Sequence, residues 1–383
     1  ADEQIELRIP GDLAGLLHGQ TLYTNLEVMP ALMLDRGPDP AYEPDRYDRW
    51  LEEIETGQRP QPHPLPVKSI PPHHSPVNLA GAGDIAEIFG DEKERDNFVI
   101  GTTREQQHPV CIDLAKFVQR SSGVFGATGT GKSFLTRIIL AGLMKHDQAS
   151  LLVLDMHNEY AYDDVASDTG ERVIGLRSKF PAKVRVSGLG KGALIRNQQA
   201  DFNLEIAESD ITPEDIELLT RELNLKETTP TTLDALVASF GAKGWFSAFR
   251  KMRLGAMIED ADGKKVAAPN SVAYWASSAG VNIMAAEGLH SKLGRVFRLP
   301  YIVEKPAADT VGEIINSLEA GHHVILSFGR FESDLDYLLV SNLLTRRIRQ
   351  AWEKRTNDYR TSGKREPRPL VCLLYTSDAA DEY

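Results

Sequence analysis

The sequence has only two cysteines, Cys111 and Cys372, in 383 residues. That scarcity excludes a disulfide framework and a cysteine-based zinc site, and it fits a reducing cytoplasmic compartment. Long hydrophobic runs are also missing. The longest, Ile138 to Met144, is far too short to cross a bilayer, and no signal-like segment opens the chain, so no membrane partner is expected. Basic excess is lacking too: 43 Lys and Arg stand against 55 Asp and Glu, a net charge of −12. A protein that coats nucleic acid has the opposite sign, so any such contact must be local. Internal repeats are absent, which excludes a solenoid. What remains is ordinary globular composition, 42% hydrophobic and 26% charged, with length enough for two or three domains. The first residue is Ala1 rather than methionine, so the true start is expected upstream.

Four textures follow one another. From Gln4 to about Thr103, short apolar runs alternate with turn signals, and Ile5-Glu6-Leu7-Arg8-Ile9 has the period of two expected of half-buried strands. A small β-domain over residues 1–109 is therefore predicted. The proline-rich stretch from Pro60 to Pro76 should be extended, and its His63, His73 and His74 lack metal-site spacing and company, which makes it a polar linker. From Val110 to about residue 204 the pattern is α/β. Residues 205–310 read as mainly helical. Thr212-Pro213-Glu214-Asp215 forms one helix start, and Thr231-Thr232-Leu233-Asp234 opens a run through Phe240. The α/β pattern resumes over 311–371 with a strand at Val324–Phe328, a helix from about Leu335 to Lys354, and an apolar run from Pro369.

Gly126-Ala127-Thr128-Gly129-Thr130-Gly131-Lys132-Ser133 satisfies the GxxxxGK[ST] pattern in full. Glycines let successive backbone N–H groups turn inward and form a nest for phosphate oxygens. Lys132 then serves the β- and γ-phosphates, the Ser133 hydroxyl takes a place on Mg²⁺, and the next helix aims its positive end at the anion. The context agrees. Gly123-Val124-Phe125 reads as a short buried strand entry, and Phe134, Leu135, Ile138, Ile139 and Leu143 as the apolar face of an amphipathic helix. A nucleoside triphosphate with Mg²⁺ is the expected ligand, held by residues 126–134.

Leu151-Leu152-Val153-Leu154 reads as a strand buried on both faces and ends in Asp155-Met156-His157-Asn158-Glu159-Tyr160. Ligands bind at strand C-termini in open α/β sheets, so Asp155 belongs beside the phosphates. Three readings stay open: Asp155 holds Mg²⁺ directly or through water, it polarises water from a neighbouring strand, or it only caps the next turn while Glu159 is solvated. As a lone acid Asp155 is a poor general base, which points to an acidic pair further along.

Together these residues resemble the HerA-type ATPases of the HerA–FtsK group of P-loop motors. The matching features are Ile100-Gly101, the lead-in Val110-Cys111-Ile112-Asp113-Leu114, the phosphate loop, and Leu154-Asp155-Met156-His157-Asn158-Glu159-Tyr160 against the family's "hDPHGEY". Met156 replaces the usual proline and Asn158 the usual glycine. Gly321-His322-His323-Val324-Ile325-Leu326-Ser327-Phe328-Gly329 matches as well. The resemblance implies a RecA-like P-loop core with a helical insertion, preceded by a small β-barrel that passes into the core over His74–Phe89. It implies a homo-hexameric ring that couples ATP hydrolysis to DNA translocation in DNA end processing, often with a NurA-type nuclease. Lys132, Asp155 and Glu159 would be the catalytic group, with Ser133 and Asp155 on the metal. Rival readings are an ATPase of a secretion or conjugation system, or a nucleotide-gated binding module without turnover.

Two further features concern the last part of the chain. Arg346 to Arg368 carries nine Lys or Arg against three acids, a local excess that suits DNA contact and a solvated helix face equally. Cys372 to Glu382 resembles the in-frame translation of a transposase sequencing adapter. The native chain is then expected to run past Val371 into the family's Walker B acidic pair, and Asp378 carries no role. A chain without that pair is expected to bind ATP with little hydrolysis.

Overall fold

The computed structural model describes residues 30–59, 64–68, 79–104, 107–127, 129–165, 170–259, 264–363 and 366–374. The chain divides into two compact units, Ala1–Glu92 with Gly101–Val110, and Lys93–Ile100 with Cys111–Tyr383.

In the first unit the described residues form helices Pro44–Glu55 and Ala82–Phe89 and an antiparallel pair, Leu32–Met33 with Leu65–Pro66, and a second two-stranded sheet, Asn97–Thr102 with Pro109–Asp113, has residues in each unit. Pro44 stands in the first turn of its helix, where it has no intrahelical N–H to lose. Tyr47 and Trp50 stack on one face of that helix, ring centres 5.8 Å apart. Among the described residues there is no closed barrel, so the expected β-barrel is not found there. The alternating segment Ile5–Ile9 lies outside the described residues, as do His63, His73 and His74. A two-residue strand pair cannot close on itself, and helical spacing prevails where Pro44 starts a helix.

The second unit is built on a five-stranded parallel sheet. Its strands, numbered here in chain order, are β1 (Ser150–Asp155), β2 (Val184–Leu189), β3 (Phe202–Leu204), β4 (His323–Ser327) and β5 (Leu370–Leu373). They lie in the order β3-β2-β4-β1-β5. The α/β core expected from the sequence is present. Continuous apolar runs make β1 and β4 because both faces of the sheet are covered. Leu152, Leu154, Val324 and Leu326 pack towards one hydrophobic core, while Leu151, Val153, Val186 and Ile325 pack towards another.

The second of these cores is completed by helix α1 (Lys132–His146), which buries Ile139, Leu140, Leu143 and Met144. The predicted face of this helix is therefore rotated. Leu140 and Met144 join it, and Phe134 stands 59% exposed. The strand expected at Gly123–Phe125 is also absent: residues 121–127 join no sheet, and Phe125 is 93% exposed. Burial of such a segment needs a neighbouring strand, and none of β1–β5 pairs with it.

The first core is shared between one face of the sheet, the helices after residue 310 and the helical segment between 205 and 310. The main helices of that segment are α2 (Thr229–Phe240), α3 (Trp245–Lys251), α4 (Val272–Ser278) and α5 (Ile283–Leu293). Helix α2 starts two residues ahead of Thr231, with Pro230 in its first turn. The helix start expected at Thr212 is present, with Pro213 in its first turn and Thr212 N–H donating to the Asp215 carboxylate at 2.8 Å. Rings of Trp245, Phe246, Phe249, Trp275 and Phe297 meet edge to face, an arrangement that favours aromatic pairs beyond their buried area.

Two helices frame β4. Helix α6 (Thr310–Glu319) is capped by the Asp309 carboxylate, which accepts from Gly312 N–H at 2.9 Å. Helix α7 (Asp334–Ser362) runs eight residues beyond the expected end at Lys354 and stops where Gly363 adopts φ 61°. The chain then enters β5, whose Cys372 and Leu373 pair with Leu152 and Val153. Ser377 and Asp378 lie outside the described residues.

Candidate nucleotide-binding site

The phosphate loop opens straight into α1. Gly131 is the N-cap residue at φ 90°, and Gly129 is at φ 81°, a conformation that side-chain-bearing residues avoid. A Cβ on either would meet nothing within 4 Å, so backbone angle and not crowding calls for glycine there. Gly126 differs. A Cβ there would come within 2.5 Å of Thr130 Oγ1, so this position needs glycine for close approach. Thr130 in turn donates its hydroxyl to the Ala127 carbonyl at 2.7 Å, tightening the loop. Thr128 lies outside the described residues.

Lys132 heads the helix, and its ammonium donates to the Gly126 carbonyl at 2.6 Å, across the mouth of the loop. Ser133 follows in the first turn, where the exposed N–H groups and the helix dipole favour an anion. These residues fit a triphosphate with its metal. The loop is an open cradle of glycine backbone, a cation spans it, and a hydroxyl stands at the helix start. Phe134 points outward, 59% exposed, and shares none of the helix core.

Asp155 ends β1, with 1% of its surface exposed. Its two carboxyl oxygens accept from the backbone N–H of Glu159 at 2.8 Å and of Tyr160 at 3.0 Å, closing the turn 155–160. Burial pushes its pKa up to about 6 and the Glu159 charge adds to that, against the pull of the N–H donors. The turn-capping contacts of the third reading are thus made. A carboxylate with two accepted bonds still has lone pairs to spare, so a metal or water role is compatible with them.

The turn is tied to the head of α1. Arg137 donates to the Glu159 carbonyl, and its guanidinium lies 6.0 Å from the Tyr160 ring centre. The Tyr160 phenol lies beside the hydroxyls of Ser133 and Thr136, and burial raises its pKa to about 12, so it remains a neutral donor. Glu159 is half-buried. Lys132, Ser133, Asp155 and Glu159 therefore belong to one neighbourhood, linked through Arg137 and Tyr160. Neither linker was singled out in the sequence. Their signal was present all the same, since Arg137 lies one helical turn beyond Ser133 and Tyr160 closes the Asp155 motif.

Four cations of the basic stretch from Arg346 are committed inside the fold. Arg346 pairs with Asp215 and Arg347 with Asp210, each at 2.7 Å. Arg355 pairs with Glu319, and Arg368 with Asp147 at 2.6 Å. Arg349 meets only Glu353 on its own helix, 81% exposed on its side chain. Among the described residues the excess of charge read from the sequence thus shrinks to the exposed side of α7, at Arg349, Lys354 and Arg360, while Lys364 and Arg365 lie outside the described residues.

Among the described residues no helix is long and apolar enough to cross a membrane, and no cluster of three His, Cys, Asp or Glu is poised to hold a metal by itself. No curated protein matches the chain. The family model for the central domain of the helicase HerA matches residues 98–348, a span that includes the phosphate loop, the Asp155 turn, the helical segment and β4. The chain accordingly belongs to the HerA family of P-loop ATPases and carries that family's central domain.

Proposed function

We propose that this protein binds Mg-ATP at residues 126–134 as a subunit of a homo-hexameric ring, in which ATP hydrolysis, given the acidic pair that the family places on a following strand, drives movement along DNA. The observation that carries the nucleotide part is the loop itself: Gly129 and Gly131 in left-handed backbone, Gly126 at a point of closest approach, and Lys132 spanning the mouth. Backbone N–H groups and Lys132 would hold the phosphates, and Ser133 would ligate the metal. Asp155 would hold the metal's shell through its spare lone pairs, and Glu159 would orient water. When bound, Mg²⁺ supplies charge neutralisation at the phosphates.

The DNA part rests on family membership and on the outward cations of α7. A chain of net charge −12 binds DNA through few contacts, which suits a motor that must release at each step. A ring multiplies those contacts without any one of them being tight. DNA end processing beside a NurA-type nuclease is the setting in which such a ring would act.

Linkage gives the test. If ATP and DNA are coupled, Mg-ATP must raise DNA affinity by the same factor that DNA raises ATP affinity. We expect a non-hydrolysable ATP analogue with Mg²⁺ to tighten binding to double-stranded DNA several-fold, and Lys132→Ala to abolish that gain. Coupling to a protein substrate and none to DNA would favour the secretion or conjugation reading instead.

A further inference from the structure

The C-terminal end of β4 has no part in the site described so far. Along this strand Val324 and Leu326 face the helical segment, while Ile325 faces α1. Alternation puts Ser327 on the α1 face too. Its register partner on β1 is Asp155, which shares the α1 face with Leu151 and Val153. Two polar side chains therefore end adjacent central strands, side by side, on the phosphate-loop side of the sheet.

Ser327 has no exposed surface, and its hydroxyl has no hydrogen-bond partner. Buried hydroxyls are almost always satisfied, so one that is not asks for a reason. The chain just beyond it is fastened to the Asp155 turn. Phe328 N–H donates to the Asp155 carbonyl at 3.3 Å. The Asn158 side chain accepts from Gly329 N–H at 3.1 Å and donates to the Gly329 carbonyl at 3.2 Å. Asn158 makes this clasp from the left-handed region, at φ 57°, which asparagine tolerates better than most residues. The end of β4 and the turn 155–160 thus form one hydrogen-bonded piece.

Within that piece both Asp155 oxygens are taken by N–H groups of the turn. One accepted bond per oxygen leaves lone pairs for a metal-bound ligand and for one further donor, which would fix the orientation in which the carboxylate meets that ligand. The in-register neighbour on β4 is a hydroxyl with nothing to bind. We propose that Ser327 is a positioning residue of the nucleotide site, its hydroxyl donating to the Asp155 carboxylate when Mg-bound nucleotide engages the turn. This inference rests on the nucleotide reading of residues 126–134. It involves no covalent step and assigns Ser327 no contact with the ligand.

The test measures ATP dissociation constants with Mg²⁺ and with EDTA for the full chain, together with melting of the nucleotide-free protein. Ser327→Ala removes a hydroxyl that the resting fold does not use, so the nucleotide-free variant should melt at or above the parent temperature. Its affinity for Mg-ATP should fall about tenfold, the worth of one hydrogen bond to a charged group. Its affinity for metal-free ATP should be unchanged, and Ser327→Thr, which keeps the hydroxyl, should restore Mg-ATP binding. Three outcomes would overturn the proposal: unchanged Mg-ATP affinity in Ser327→Ala, an equal loss with and without metal, or a lower melting temperature without nucleotide. The last would assign the hydroxyl to a buried structural water. Failure of the parent protein to bind ATP at all would sink the nucleotide reading itself, which the Lys132→Ala control separates from failure at Ser327.

Discussion

Arg346 donates to Asp215 at 2.7 Å, and the Asp215 side chain has no exposed surface. Asn342 donates to the second Asp215 oxygen at 2.6 Å, and Thr212 N–H reaches the carboxylate at 2.8 Å. The cluster fastens α7 to the helix start at Thr212. Removing one partner of a buried pair strands the other as an uncompensated charge, at a cost of about 3–5 kcal/mol.

Arg346→Ala should therefore lower the melting temperature by on the order of 10 °C, from the size of that penalty and about 2–4 °C per kcal/mol in a domain of this size. Thermal unfolding with and without DNA checks this. A variant that melts with its parent but binds DNA poorly would return Arg346 to the DNA-contact reading.

The DNA face should lie on the outer side of α7. Reversing Arg349, Lys354 and Arg360 to Glu should weaken DNA binding and flatten its dependence on salt, since each lost phosphate contact lowers the slope by about one. Melting should hardly change, because Arg349 meets only Glu353 on its own helix. A salt slope equal to the parent's would make this surface a solvated face.

Nucleotide binding should stabilise the fold in proportion to occupancy. At about 100 times its dissociation constant, Mg-ATP contributes about 2.7 kcal/mol, a shift of several degrees in melting. Lys132→Ala should remove most of that shift, and an undiminished shift would place the nucleotide elsewhere.

Gly126→Ala offers a steric check on the same loop. The added methyl would come within 2.5 Å of Thr130 Oγ1, so that hydroxyl must leave its bond to the Ala127 carbonyl, and ATP affinity should fall about tenfold as the loop loses that tie. Thr130→Ala in the same chain removes the same tie, so the double variant should bind no worse than Gly126→Ala. If the double variant binds still more weakly, the lost tie is not the cause.

Acid should destabilise the protein through His323. This residue starts β4 with no exposed surface, and burial holds its pKa down at about 4, helped by the charges of Arg368 and Lys183. Unfolding restores an ordinary pKa near 6.5, so the unfolded chain binds the proton more readily. The stability that His323 contributes is complete above about pH 6.5 and is lost as pH falls towards 4, about 3 kcal/mol in all. Asp155, with its raised pKa, pulls the other way below about pH 6. A His323→Phe variant isolates the histidine. The difference in stability between parent and variant should shift in the variant's favour from pH 7 to pH 4.5, and a pH-independent difference would rule the histidine out.

The phosphate loop was legible from sequence because its demands are local. Left-handed backbone at Gly129 and Gly131, and a cation at the head of a helix, depend on a few consecutive residues. The buried strands β1 and β4 were legible for the same reason: uninterrupted apolar runs fit no other place than a sheet covered on both faces. The helix start at Thr212-Pro213 is equally local. Burial at Val124 and Phe125 was not local, since it needed a neighbouring strand, and the tertiary structure supplies none. Nor was the fate of Arg346 and Arg347, whose charges look available in sequence until α7 packs against Asp210 and Asp215. The pairing of Asp155 with Ser327 lay furthest from reach. The two residues stand 172 positions apart, and only the strand order β4-β1 and its register bring an unpartnered hydroxyl beside a buried acid. Short-range geometry therefore determined where a nucleotide would be held, and long-range strand order decided which groups surround it.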